Sequence, residues 1–427
     1  MRPTPLFAPL ALTLLVAPLA AQDQDRLRNR ITDLFTFGDC GAPLCLELDN
    51  AHGNHFIPAV AAGNETVIGF LTQAVATATG AVPISATSSG ATFTIVGGLP
   101  VRTSTSAGPI FGERAQTLGR GRFFLGANVT SMQFTTLSGA PLDNLLINFQ
   151  HQDVGQPVLG DPEFENDVIQ LRLRLGMNLT VASVYATWGI LDFVDLGVAV
   201  PFVRTTIDGA SEAQILTFGN QTIHNFGGDP ADPLLRAATA ASGTATGIGD
   251  VAGRLKINLG QSRMFGAALL ADVRFPTGNE EDLLGSGATS VRALGITSAQ
   301  FGNFAPHLNV GYLARTGEMQ NDAVLATVGF DNLMASWATV AVDLVSEWQL
   351  GENQIALPGE IQFEEPFVRE LQAINVPNRR ENLISASVGM KFNVRGGMVL
   401  VLNGIAPLRR AGLQPDFIWT AGIEGAF

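Results

Sequence analysis

Residues 417–427 read FIWTAGIEGAF. Phe417, Trp419, Ala421, Ile423, Gly425 and Phe427 alternate with Ile418, Thr420, Gly422, Glu424 and Ala426. Successive side chains of a strand point to opposite faces, so one face here is aromatic and the other carries Thr420 and Glu424. A soluble sheet rarely leaves such an aromatic edge bare, because unpaired edges invite aggregation. The expectation is a strand whose greasy face meets lipid.

The other end fits that expectation. Residues 1–21, MRPTPLFAPLALTLLVAPLAA, carry one early charge, a short apolar run broken by Pro9 and Pro18, and small residues before Gln22. This is the pattern of an export signal, too short for a membrane anchor. Mean hydropathy is positive at +0.24. No later segment supplies the roughly 18 uncharged apolar residues of a helical span. With 47 glycines and short alternating apolar runs, the composition suits an all-β protein whose apolar surface is spread over strands. A net charge of −13 excludes the basic footprint that nucleic acid requires. The acidic residues concentrate in expected loops such as 161–167 and 279–282.

From Gly119 onward, strand-like runs alternate with turn signals. Twelve strands are expected: 121–135, 166–188, 193–206, 246–259, 265–278, 290–301, 304–316, 324–334, 337–350, 382–394, 398–409 and 416–427. Tight turns fall near Leu191-Asp192, Gln261-Ser262, Gly302-Asn303, Ala335-Ser336 and Gly396-Gly397. Longer connections, including 136–165, 207–245 and 351–381, alternate with them. An even strand count with long loops at one end and short turns at the other is the organisation of a transmembrane antiparallel up-and-down β-barrel in a Gram-negative-type envelope. The domain division expected is a signal over 1–21, an N-terminal segment over 22–117 and a barrel over 118–427.

Alternation then assigns faces. Along 168–179, Ile169, Leu171, Leu173, Leu175, Met177 and Leu179 are expected to face lipid, with Gln170, Arg172, Arg174 and Asn178 inward. Arginine on a lipid face costs about 2–4 kcal/mol at mid-membrane, which sets this phase. The same reading places Arg254, Lys256 and Asn258, and Ser385, Ser387, Lys391 and Asn393, in the lumen. The candidate lumen-lining set is Arg172, Arg174, Asp195, Arg254, Lys256, Asp272, Arg274, His307, Arg315, Asp343, Glu347 and Lys391, with Asp250, Gln170 and Asn309 extending the polar wall. Opposite charges there either lock a narrow barrel or line a pore. Pro201, Pro276 and Pro407 each omit a ladder hydrogen bond and mark a bulge, kink or strand end. Two readings stand for them: a lateral gap through which an apolar molecule leaves sideways, or simply the end of the ordered ladder. Cys40 and Cys45, in CGAPLC, are a candidate disulfide in an exported chain.

YATWGILDFVDLGVAVPFVR (185–204), TGIGDVAGRLKINLG (246–260) and the stretch from Asp272 to Gly317, with its Pro-Thr-Gly and Gly-Ser-Gly elements, carry a family likeness. In this order they resemble outer-membrane proteins of the phenol-degradation meta-pathway family, which are transporter-like. The resemblance covers most of 118–427 and implies a barrel that passes small aromatic or apolar molecules. The C-terminal strand also resembles that of bacterial outer-membrane barrels, which makes Trp419, Ile423 and Phe427 a candidate assembly signal read by the barrel assembly machinery.

Residues 22–117 depart from the barrel pattern. Asn64 precedes a helical pattern (Val67, Ile68, Phe70, Leu71, Ala74 and Val75), and Phe93, Ile95, Leu99 and Ile110 need something to pack on. The segment is expected to act as a hatch inside the barrel, with a periplasmic module or a tether as the other readings.

The expected function is passive passage of small, aromatic or hydrophobic molecules across the outer membrane; the alternative is a non-transporting structural or surface-receptor barrel. No GxSxG or nucleophile–histidine pairing is present to suggest a hydrolase. The chain is expected not to be an enzyme, with no cofactor, no metal and no nucleic-acid partner. Its partners are outer-membrane lipid and a small solute.

Overall fold

The computed structural model describes residues 26–37, 43, 44, 46, 56, 93–96, 99–102, 107–151, 165–218, 224–229, 231–317, 321–351, 360–363, 370–378, 380, 382–394 and 397–427. The expected Cys40–Cys45 disulfide and the helical pattern near 67–75 lie outside these residues.

Twelve strands form one closed antiparallel ring. They are β1 Phe123–Leu137, β2 Val168–Leu191, β3 Val194–Leu216, β4 Ala252–Gln261, β5 Phe265–Arg274, β6 Ser290–Ala299, β7 Phe304–Arg315, β8 Ala323–Ala335, β9 Ala338–Gln349, β10 Leu383–Asn393, β11 Met398–Pro407 and β12 Leu413–Ala426. Each pairs with its sequence neighbour, and β12 pairs with β1 to close the ring. At the seam the Phe427 amide donates to Phe123 O at 2.7 Å, and the Phe123 amide donates to Phe427 O at 3.0 Å. Closure removes the edges that an open sheet would leave in hydrocarbon. The tight turns fall where Gly302 and Gly397 take positive φ of 61° and 81°, a region glycine enters without a Cβ clash.

The outer face is a membrane face. Phe123, Trp188, Phe193, Phe265, Phe301, Phe304, Trp337 and Phe427 form an exposed aromatic ring at the short-turn end. Phe202, Phe275, Tyr312, Trp348 and Phe417 form a second ring higher up. Leu196, Val198, Leu255, Leu269, Leu308, Val328, Leu344 and Leu400 are exposed between them. An apolar band between two aromatic girdles is how a barrel meets a bilayer. Trp419, Ile423 and Phe427 all lie on this outer face.

Two strands overshoot the bilayer. β2 has 24 residues and β3 has 23, whereas about 9–11 tilted residues cross it. The excess stands above the upper girdle as a wall. This corrects two expectations. First, 207–245 is not simply a loop: β3 continues to Leu216, and the strand Arg236–Ile248 returns along it in a ladder from Ile248–Phe202 to Arg236–Gln214. Second, the facing of 168–179 is reversed. Ile169, Leu171, Leu173, Leu175, Met177 and Leu179 are buried, while Arg172, Arg174 and Asn178 are exposed. The charge penalty that set the phase applies only at membrane depth, and this half of β2 lies above it.

What buries those leucines is the N-terminal segment. The helix α1, Leu27–Asp33, lies against β3 and Arg236–Ile248. Leu27, Ile31, Leu34, Phe35 and Phe37 share one apolar core with Leu171, Leu173, Leu175, Ile207 and Ile215. Phe35 meets Phe149 edge-on at 6.4 Å, and Phe37 meets Phe226 at 5.6 Å. The Ser211 hydroxyl donates to Leu34 O, fastening the end of the helix to the wall. Burying each such side chain is worth about 1.5–3 kcal/mol. The upper half of the barrel therefore has a dry core, and the lower half is polar.

Candidate functional site: the barrel interior

Below that core, residues 107–118 (AGPIFGERAQTL) cross the interior. Their backbone groups have left water and need partners, which the wall supplies from side chains. The Ala107 amide donates to Thr339 Oγ1 at 3.0 Å. The Glu113 amide donates to Asn309 Oδ1 at 2.8 Å, and Asn309 Nδ2 returns a bond to Glu113 O at 2.9 Å. The Ala115 amide donates to Ser298 Oγ at 3.1 Å, while Asn258 Nδ2 donates to Ala115 O at 2.7 Å. The Leu118 amide is shared by both oxygens of Asp195 at 3.1 and 3.0 Å. These partners come from β3, β4, β6, β7 and β9, so the segment is held along the arc of the ring that runs from β3 to β9.

Ion pairs add to these bonds. Lys256 Nζ lies 3.0 Å from Glu113 Oε2, and Arg254 lies 3.8 Å from its other oxygen. Arg254 also binds Asp272 through Nε, and Arg292 reaches the same carboxylate at 3.4 Å. Arg114 grips Asp331 of β8, both fully buried. Beside them, Lys391 pairs with Glu424 at 2.8 Å and His307 with Asp343 at 2.7 Å. A charge inside a barrel is tolerable only when paired in this way, because an uncompensated one costs several kcal/mol. Where the segment passes β7, residue 112 must be glycine: a Cβ there would collide with the His307 ring. Ile110 packs with Ala341, Val399 and Val401.

Of the sequence-derived lumen set, the structure buries Asp195, Arg254, Lys256, Asp272, His307, Asp343 and Lys391 inside the ring. Arg274 is half-buried on the inner face beside Asp272, and Arg315 pairs with Glu347 at 2.7 Å near the rim. Arg172 and Arg174 are the exceptions. They lie on the outer surface in a shallow groove with Asp143, Asn144 and Glu212, and Arg174 pairs loosely with Glu212 at 3.6 Å. Sequence reasoning did not single out Glu113, Arg114 or Asp331, and it put Glu424 on the face opposite the aromatic one without including it in the lumen set. Asp331 and Glu424 left a usable signal, the first the lone acid of an apolar strand and the second an acid on the inward face of the C-terminal one. Glu113 and Arg114 precede any strand, so alternation said nothing of them.

The prolines are resolved one by one. Pro276 follows the end of β5, and Pro407 ends β11. Pro201 lies inside β3, where its partner changes from β4 to the strand Arg236–Ile248. Between the pairs Ala199–Ala252 and Phe202–Ile248, three residues (249–251) face two, which is a bulge. The loop after β5 covers this break. Asp250 accepts from the Gly278 amide at 3.1 Å, the Ser286 amide at 2.8 Å and the Ser286 hydroxyl at 2.7 Å. Leu283 and Leu284 of that loop are buried in the upper core.

No family model matches this sequence, and no curated protein does. The resemblance to the phenol-degradation meta-pathway family therefore stands on its motifs alone. Solved structures with a similar trace include an outer membrane channel from Pseudomonas putida F1, at TM-score 0.44 and 14% identity over 73% of this chain and 98% of that one. A Pseudomonas aeruginosa FadL homologue aligns at TM-score 0.31 and 9% identity, over 72% of this chain and 90% of its own. The CymD monoaromatic hydrocarbon channel aligns at TM-score 0.33 and 7% identity, over 72% and 89% respectively.

Proposed function

We propose that the protein is an outer-membrane channel for small apolar molecules, entered from outside through the hatch core and closed by the chain's own segment 107–118. One observation carries the reading. The plug is held by reversible hydrogen bonds and ion pairs to wall side chains, with no backbone ladder tying it into the sheet. A purely structural barrel has no need of so many polar residues inside, because apolar packing fills a lumen at lower desolvation cost. Above the plug, the packed aliphatic and aromatic side chains of the upper core form an apolar medium that suits an apolar solute, aromatic ones included, once the N-terminal segment yields. The reading requires no catalytic step and no energy source. Export through a signal over 1–21 and insertion by the barrel assembly machinery belong to the same proposal.

The experiment is solute flux into proteoliposomes carrying the full chain. Uptake of a small aromatic such as toluene above that of empty vesicles supports the channel. Absence of flux for every apolar and polar solute, in wild type and in plug variants alike, favours the non-transporting barrel.

A second reading concerns the exit. The break at 249–251 lies at the level of the upper girdle, between Phe202 and Phe275, and the side-chain latch from Asp250 adds to the single backbone bonds of Gly249 and Val251 there. Movement of the 276–288 loop would open a sideways path from the hatch core to lipid, and Asp250→Asn is the variant that tests it.

A further inference from the structure

The wall above the membrane is a four-stranded sheet whose two edges are treated differently. At one edge the short strand Leu145–Gln150 is capped by the chain itself. The Asn148 amide donates to Ala373 O at 2.8 Å, and the Asn375 amide donates to Leu146 O at 3.1 Å. At the other edge, among the described residues, the strand Arg236–Ile248 pairs only with β3. The Gly249 amide donates to Pro201 O, which fixes the alternation. Odd-numbered residues bond β3, and the amides and carbonyls of Arg236, Ala238, Ala240, Ser242, Thr244 and Thr246 point away from it. Among the described residues nothing bonds those groups, apart from the 276–288 loop crossing the strand's lower end at Gly247 and Gly249. The side chains of the same residues are exposed.

Edge strands are ordinarily blunted by proline, lysine, a bulge or brevity. This one runs thirteen residues, RAATAASGTATGI, with none of these. We infer that the edge is a docking site for an extended segment of another polypeptide, which adds antiparallel as a further strand outside the membrane. The chemistry of the edge names the occupant. Only an extended backbone presents donors and acceptors at the matching repeat, and the small neutral side chains of the strand leave room for β-branched neighbours. Arg236 at the far end suits a guest with an acidic group there. A second copy of this chain is a poor fit. Barrel strands tilt roughly 35–45°, so two upright copies would cross these edges at roughly 70–90° instead of aligning them.

The test uses the refolded full-length protein in detergent and a fluorescent peptide copying residues 202–214, FVRTTIDGASEAQ, which already pairs this strand from its other side. Binding is followed by anisotropy, with Ala240→Pro as the diagnostic variant. That proline removes a free-edge donor and leaves the β3 ladder whole, whereas Ala241→Pro breaks the ladder and serves as the disruptive control. Expected is saturable binding to wild type, weakened about tenfold or more by Ala240→Pro, the cost of one backbone hydrogen bond. Hydrogen exchange should show about half the amides of 236–248 unprotected in the free protein and slowed when peptide is added. The proposal is overturned by protection of all these amides in the free protein, by equal binding to Ala240→Pro, or by no anisotropy change up to the peptide's solubility limit. A detergent-stable dimer that Ala240→Pro dissociates overturns it too, in favour of a second copy.

Discussion

The guanidinium of Arg114 binds the carboxylate of Asp331 through two parallel bonds, Nε to Oδ1 at 3.0 Å and Nη2 to Oδ2 at 2.5 Å, across a sequence separation of 217 positions. The pair joins the plug to the far side of the ring, where neither group meets water. Removing one partner of such a pair costs about 3–5 kcal/mol, mostly because the other charge is left buried alone. Arg114→Ala is therefore expected to destabilise the plugged state and raise conductance in planar bilayers. Adding Asp331→Ala should recover stability while keeping the conductance high. Single-channel recording and heat-modifiability on gels check both halves.

Glu113 answers Lys256 and Arg254 together. Glu113→Gln keeps the shape and removes the charge, leaving two cations facing only Asp272 and its neighbours. Conductance of the variant is expected to rise, while the wild-type conductance follows the bulk conductivity and no more, because the pairs are buried beyond screening. A wild-type conductance that climbs steeply with ionic strength, beyond the bulk trend, would contradict a buried latch.

Gly112→Val tests the plug by shape rather than charge. The added Cβ meets the His307 ring, which is itself bonded to Asp343, so the segment cannot seat. Expected is a barrel that still closes, judged by its heat-modifiable mobility, with flux at least as large as that of Arg114→Ala.

The facing of β2 is checked by cysteine labelling in a cysteine-free background. Arg172→Cys and Arg174→Cys should react with a membrane-impermeant maleimide in intact cells, and Leu173→Cys should not. Leu173→Ala should cost about 2–5 kcal/mol through the cavity it leaves in the upper core. Leu171→Ala should behave alike, whereas Arg172→Ala is expected to be near neutral.

Asp250→Asn keeps the shape of the latch over the strand break but removes the charge that accepts three hydrogen bonds at Gly278 and Ser286. Charge-assisted bonds are roughly twice as strong as neutral ones. Faster proteolysis within 276–288 in the folded barrel is the expected result; unchanged cleavage would mean that Leu283 and Leu284 alone hold the loop.

Much of the architecture was legible because a closed barrel is written in local rules. Period-two alternation, turn glycines and the aromatic C-terminal run fix twelve strands and their order, and an inward Arg254, Lys256 or Lys391 follows from phase alone. The same logic failed along 168–179. Alternation offers two phases, and choosing between them needs the depth of the strand in the bilayer, which is a property of the whole ring. The plug lay further from reach. Glu113 and Arg114 find Asn309, Lys256 and Asp331 across some 140 to 220 positions, a distance over which no sequence pattern acts. The chain by itself determined that it crosses a membrane as strands, since grease on every second residue has nowhere else to go. Only the tertiary structure decided what fills the cylinder, because that depends on which buried charges can reach each other once the ring has closed.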